Sequence, residues 1–270
     1  MVYECRDEYG VSDRGVPDPR MQTLELQLLK QADVVFAASE GLHTKMSRLH
    51  HNAHFLSNGV DFELFSGALT DATVVPEELR KIPPPRIGYV GGVSEPIVDF
   101  GLLEYLSRVR PQWSFVLIGP SAGVPESIKK SPNIHLLGTR PHEEVPQHLK
   151  GMDVAISPFA RNKYTDNLNP LKIWEYLAAG KLVVTTDAVQ GQSLRDIVFI
   201  AGNREQFLAH IDQALSADHS RRIQQGIALA REHSWLQTTK EVPRILAEVV
   251  SNHNTCIDKL YEGAVRETIV

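Results

Sequence analysis

The residues of this 270-residue chain whose types and spacing could do chemistry lie between Asn169 and Val184, in the run Asn-Pro-Leu-Lys-Ile-Trp-Glu-Tyr-Leu-Ala-Ala-Gly-Lys-Leu-Val-Val. Lys172 brings a full positive charge. Glu175, three residues on and on the same helical face, brings a carboxylate that can accept two hydroxyl hydrogen bonds. Their setting reads as a short helix signed at both ends. Asn169 suits an N-cap, Pro170 the first helical position, and Gly180 the left-handed stop before a buried strand, Leu182-Val183-Val184. The opening turn, at Leu171, leaves backbone N–H groups unpaired at the positive end of the helix dipole, where an anion can sit. Lys172 opposes that dipole, a small cost unless an anion is near. Anion clamp plus diol acceptor is the chemistry that a nucleotide sugar needs. A core helix carrying a surface Lys–Glu pair meets the same spacing equally well.

The elements that must position this helix alternate regularly. Val2 to Cys5 reads as a strand, Met21 to Gln31 as a helix with Met21, Leu24, Leu28 and Leu29 near one apolar face, Ala32 to Ala38 as a strand, Gly41 to about His50 as a helix, and His54 to Leu56 as a third strand. From Arg86 the pattern is fuller. Strands at Arg86–Val90, Ser114–Ile118, Ile134–Gly138, Asp153–Ile156, Lys181–Thr186 and Val198–Ile200 alternate with helices at Phe100–Arg108, Glu143–Lys150 and the Lys172 run, and further helices reach from Arg204 to about Val250. Five or six strands make a complete doubly wound parallel domain, whereas the three strands before it are too few for one.

The Asn169–Val184 run resembles the donor-binding motif of the glycosyltransferases of family 4, and of their subgroup acting on bacterial cell-surface polysaccharides. The resemblance implies an α/β, GT-B-like fold with doubly wound parallel sheets, and an enzyme that moves a sugar from a nucleoside diphosphate sugar to a saccharide or lipid-linked acceptor hydroxyl. In many members two glutamates stand eight apart, the second holding the ribose. Glu175 matches the second, and Asn167 stands where the first would be. Asn58-Gly59-Val60-Asp61 with Phe65 is similar to the family's signature before its interdomain linker. This implies residues 1–65 as part of an N-terminal acceptor domain, 66–85 as linker, 86–235 as donor domain, and 236–270 as crossover helix and tail, with about a hundred residues of the first domain expected ahead of Met1.

By the same resemblance Gly91-Gly92 faces the donor diphosphate. Relatives carry an Arg and a Lys just after that loop, and Val93-Ser94-Glu95-Pro96 has neither, which throws the phosphate charge onto Lys172 and the amides near Leu171. The nucleotide base docks near Arg140, largely through backbone. Tyr3 to Tyr9 is similar to an acidic stretch of the subgroup in which Asp7 could take the acceptor proton; a solvated acidic loop is the plainer reading. Arg161, Asn162 and Lys163 could touch the sugar, and Trp235 reads as a packing anchor where the chain crosses back.

Composition narrows the partners. A net charge of −5 with no basic cluster argues against nucleic acid. Two cysteines, Cys5 and Cys256, make no disulfide framework and point to a reducing, cytoplasmic setting, with peripheral contact at the inner membrane face if the acceptor is lipid-linked. No apolar run is long enough to span a bilayer. His50, His51 and His54 crowd together without a completing ligand, and no Asp-x-Asp triplet occurs, so the expected enzyme uses no metal and no cofactor. Two other readings stand beside the transferase. One is a non-catalytic donor-binding subunit, or fragment, needing a partner chain for the acceptor half; the other is a nucleotide-sugar epimerase of the same fold.

Overall fold

In the computed structural model, which describes residues 1–11, 16–162, 165, 171–188, 194–216 and 218–251, the strands fall into two separate parallel sheets. The readings that rest on Asn167, Asn169, Lys163 and Cys256 lie outside the described residues. The first sheet joins β1 (Val2–Cys5), β2 (Val34–Ala37) and β3 (Ala53–Phe55) in that order, with α1 (Pro19–Gln31) and α2 (Glu40–Leu49) as the crossovers. Local chemistry starts both helices. Asp18 accepts from the amides of Arg20 and Met21 ahead of Pro19, and Ser39 accepts from Leu42. The central strand β2 is buried throughout, as its unbroken apolar run requires in a parallel sheet.

Helix α1 departs from its apolar periodicity. Glu25 and Leu29 face inward, while Met21, Leu24 and Leu28 are exposed. The cause is a polar cluster under the sheet. Glu25 accepts from the Tyr3 hydroxyl at 3.0 Å and pairs with Lys45 at 2.8 Å, and Lys45 also reaches Glu8 at 2.6 Å. A buried carboxylate so partnered outweighs the stripe's preference, because an unpaired buried charge would cost more than exposed leucines do.

Residues 66–85 are not a free linker. They follow α3 (Phe62–Ser66), include α4 (Glu77–Arg80), and bury Ala68, Leu79 and Ile82 in the same core as Trp174 and Leu177 of the second lobe. The second sheet contains β4 (Arg86–Val90), β5 (Ser114–Ile118), β6 (Ile134–Gly138), β7 (Val154–Ser157), β8 (Val183–Thr186) and β9 (Phe199–Ala201), in the order β6-β5-β4-β7-β8-β9. Period-two alternation gives it two dry faces. Ile87, Tyr89, Phe115 and Leu117 pack beneath α5 (Phe100–Val109) and α6 (Glu126–Lys129), while Val116, Ile118, Ala155 and Val183 pack beneath α7 (Val145–Lys150) and α8 (Leu171–Ala178). After β9, α9 (Arg204–Ser216) and α10 (Ser220–Glu232) complete the lobe.

The chain then returns to the first sheet. The Val60 amide donates to the His233 carbonyl at 2.9 Å and the Trp235 amide to the Val60 carbonyl at 3.1 Å, so the two crossings are bonded to each other. Arg6 lies over the Trp235 ring at 5.8 Å, as the anchoring role of that tryptophan anticipates. Ile245, in helical residues 242–251, packs on Val34 and Phe36. No helix among the described residues is long and apolar enough to cross a membrane.

Candidate functional site

In open α/β sheets the place for a ligand is outside the carboxyl ends of the strands, where the strand order reverses. Here that point lies between β4 and β7, which pair only at Ile87 with Val154 and Gly88 with Ala155 and part beyond them. Beside it a pocket of about 330 Å³ is lined by Val90 and Gly91 after β4, Ile118 to Pro120 after β5, Thr139, Arg140, His142 and Val145 after β6, and Leu171, Lys172 and Glu175 of α8. The spacing that put Lys172 and Glu175 on one helical face thus brings both into one pocket, with the opening residue of the helix.

Neither side chain has a hydrogen-bond or ion-pair partner among the described residues. Among the described residues Lys172 has no hydrogen bond or ion pair. Its ammonium sits over the rings of Phe159 at 4.7 Å and Tyr89 at 5.2 Å, contacts that favour a cation without neutralising it. Burial pushes its pKa down to about 8, against the smaller opposing effect of the Glu175 charge. Glu175 is only 9% exposed, and no hydrogen bond to its side chain is found among the described residues. Burial raises its pKa, opposed by His142 and Lys172. An uncommitted cation and an uncommitted carboxylate in one cleft, both perturbed by desolvation, mark a binding site rather than a surface pair.

The cost of holding Lys172 this way is measurable without a ligand. Its folded pKa lies below its unfolded one, so the cost to stability is full below about pH 8 and is relieved as the pH rises towards the unfolded value near 10.5. Lys172→Met should therefore raise the melting temperature of the unliganded chain at pH 7, by about 2–4 °C for each kcal/mol recovered. The gain should shrink when the scan is repeated above pH 9.

Residues 84–217 match the family described as Glycosyl transferases group 1. That segment is similar to a group 1 glycosyl transferase domain. Over 204 residues the chain is 27% identical to TuaH of Bacillus subtilis (strain 168), whose name provisionally assigns it to teichuronic acid biosynthesis as a glycosyltransferase; 69% of this chain and 50% of TuaH are covered. The chain thus spans about half the length of this curated relative. Among solved structures, Anabaena Alr3699/HepE in complex with UDP and glucose superposes with a TM-score of 0.67 at 17% identity, covering 91% of this chain and 71% of that one. Sucrose-phosphate synthase of Thermosynechococcus elongatus superposes at 0.72 with 14% identity, covering 93% and 68%. The fold is α/β and GT-B-like, with parallel sheets.

The other expected site residues are distributed unevenly. Gly91 lines the pocket, at a φ of +144° and against the Lys172 stem, whereas Gly92 is not among the lining residues and its carbonyl accepts from the Tyr89 hydroxyl at 3.0 Å. Arg140 lines the pocket, but its guanidinium is held by Glu78 at 2.8 Å, and His148 binds the same carboxylate at 3.0 Å. The Arg140 guanidinium is thus already engaged by a carboxylate. Asp7 follows β1 on the other lobe and is not among the residues lining the pocket; burial raises its pKa, with Arg6 opposing. Arg161 pairs with Asp187 and donates to the Gly202 carbonyl at 2.9 Å, and Asn162 donates to the Pro96 carbonyl at 2.9 Å. No three His, Cys, Asp or Glu side chains come together as a metal site among the described residues; His50 bonds the Ala32 carbonyl and His54 the Asn52 side chain.

The pocket also recruits residues that the motif does not announce. Gly119 and Pro120 close it from β5, and His142 stands at its mouth with its ring edge-on to Phe65 at 5.2 Å. A Gly-Pro pair directly after a buried strand signals the first. Nothing local signals His142.

Proposed function

We propose that the protein takes part in transferring a sugar from a nucleoside diphosphate sugar to the hydroxyl of a saccharide or lipid-linked acceptor, as a family 4 enzyme of the cell-surface polysaccharide type. The observation that carries this reading is the pairing of uncommitted Lys172 and Glu175 in the β4–β6 pocket of a glycosyl transferase domain. Glu175 would accept the ribose hydroxyls. Lys172 and the first amides of α8 would face the diphosphate, where negative charge grows as the glycosidic bond breaks. Charge stabilisation of that kind needs no metal and no cofactor, and a protonated Lys172 can supply it below about pH 8. Neighbours solved with UDP, glucose and UDP-glucose support a nucleotide sugar as ligand. Asp7, which follows β1 on the first lobe, is the proposed proton acceptor, and a cytoplasmic enzyme meeting a lipid-linked acceptor at the membrane surface fits this chemistry.

Thermal unfolding against UDP-, GDP-, ADP- and dTDP-sugars tests the reading. A ligand at a hundred times its dissociation constant adds about 2.7 kcal/mol to stability. One nucleotide family should raise the melting temperature, and Lys172→Ala and Glu175→Ala should each diminish the shift. A cooperative melt that no nucleotide moves would refute the donor site. Binding should also fall as the pH rises through about 8, because the free pocket loses the Lys172 proton there; affinity that is flat from pH 6 to 9.5 would remove Lys172 from the anion site.

A specific observation favours a second reading, a donor-binding unit that transfers sugar only with a partner chain. β1 is an edge strand of a parallel sheet, and beside it Met21, Leu24 and Leu28 of α1 are exposed. Parallel sheets are ordinarily covered, and an α/β layer extending β1 would cover this one. Sugar transfer by the chain alone would exclude that reading.

A further inference from the structure

The parting of β4 and β7 leaves a backbone residue without a strand partner at the lip of the pocket. The Gly91 amide donates to the Ile118 carbonyl at 2.8 Å, towards β5. Alternation therefore turns the amide and carbonyl of Val90 the other way, towards β7, which has already diverged. Buried backbone groups must find partners elsewhere. Both find the same one. The Tyr176 hydroxyl accepts from the Val90 amide at 2.7 Å and donates to the Val90 carbonyl at 3.2 Å. Tyr176 is fully buried on α8, one residue after Glu175 and one turn after Lys172. From the opposite face the Tyr89 hydroxyl holds the Gly92 carbonyl. Two tyrosines thus clamp residues 90–92 above and below, and Gly91 between them lies so close to Lys172 that a Cβ there would fall 2.8 Å from its Cε.

We propose that Tyr176 is a positioning residue for the diphosphate: its hydroxyl fixes the loop at Gly91 at the distance from Lys172 at which the two can share the outer phosphate. The proposal rests on the donor reading above and adds a residue to it. The tyrosine touches no ligand. It ties the helix that carries the cation to the loop that the anion must approach, so losing the hydroxyl loosens only that separation. The nucleoside end of the pocket, at Glu175, Thr139 and His142, keeps its supports.

The test is Tyr176→Phe, which keeps the buried ring and deletes the two hydrogen bonds. UDP, GDP, ADP and dTDP are each titrated beside their monophosphates, and amide exchange is followed at Val90 and Gly91. In the variant the diphosphate that binds the unaltered chain should weaken by about tenfold, the worth of roughly one hydrogen bond. Its monophosphate should hold within about twofold on the same scale, and the Val90 amide should exchange faster. Tyr89→Phe should act in the same direction and more weakly, which keeps the proposal testable if Tyr176→Phe folds poorly. Equal weakening of di- and monophosphate would make the hydroxyl merely structural. An unchanged ratio, or unchanged exchange at Val90, would overturn the clamp. If the unaltered chain binds none of the four diphosphates, it is the donor reading that fails.

Discussion

Lys172→Ala should slow release of nucleoside diphosphate from a bound sugar donor by about two to three orders of magnitude at saturation, the usual effect of deleting one pre-aimed donor from a charge-stabilising site. The size follows from the absence of a substitute among the neighbours described. The residues after Gly92 are Val93, Ser94, Glu95 and Pro96, and the guanidinium of Arg140 is held by Glu78. Ground-state affinity should fall less than turnover, since charge on the leaving diphosphate is greatest in the transition state. Lys172→Arg should recover little. The lysine stem fills the space beside Gly91, and a planar guanidinium needs room that this contact denies it. Steady-state turnover at saturating donor checks both variants. Full activity in Lys172→Ala would mean that the helix amides suffice.

Gly119→Ala should be the most damaging small substitution in the pocket, costing about 4 kcal/mol or more and abolishing nucleotide binding. Two independent effects add. Gly119 has a φ of +140°, which an alanine adopts only with strain, and a Cβ built there would lie 2.0 Å from the Gly91 carbonyl oxygen. The obstacle is backbone, so no rotamer change relieves it. The Gly91 loop must move, and it is the loop against which Lys172 is set. Urea unfolding reads the first effect and nucleotide titration the second. A variant of near-native stability that still binds would show that the loops after β4 and β5 are loosely coupled.

How much of this was legible in the sequence depends on the range of the forces involved. The second sheet was legible because buried parallel strands such as Ser114–Ile118 are apolar runs closed by Gly or Pro, and its helices stop where they should; Gly180 takes the left-handed φ of +69° its position predicts. Lys172 and Glu175 were legible because helical geometry alone puts them together. The role of Arg140 was not, because its partner Glu78 lies 62 residues earlier in a segment that reads as linker. That segment is a strap for a similar reason: Leu79 and Ile82 find their core across the chain rather than nearby. On α1, periodicity pointed Leu24 and Leu28 inward, and one carboxylate with a lysine twenty residues away reversed it. Local pattern fixes elements, while the facing of a helix and the fate of a charged side chain are settled by partners that the sequence does not place.

The structure of the chain with its tightest-binding nucleoside diphosphate tests the central claim most directly. An outer-phosphate oxygen should lie about 2.8 Å from the Lys172 ammonium, within the range of a charge-assisted hydrogen bond, with both ribose hydroxyls on Glu175. A diphosphate bound elsewhere, or one in this pocket with Lys172 turned away to the rings of Phe159 and Tyr89, would contradict the account.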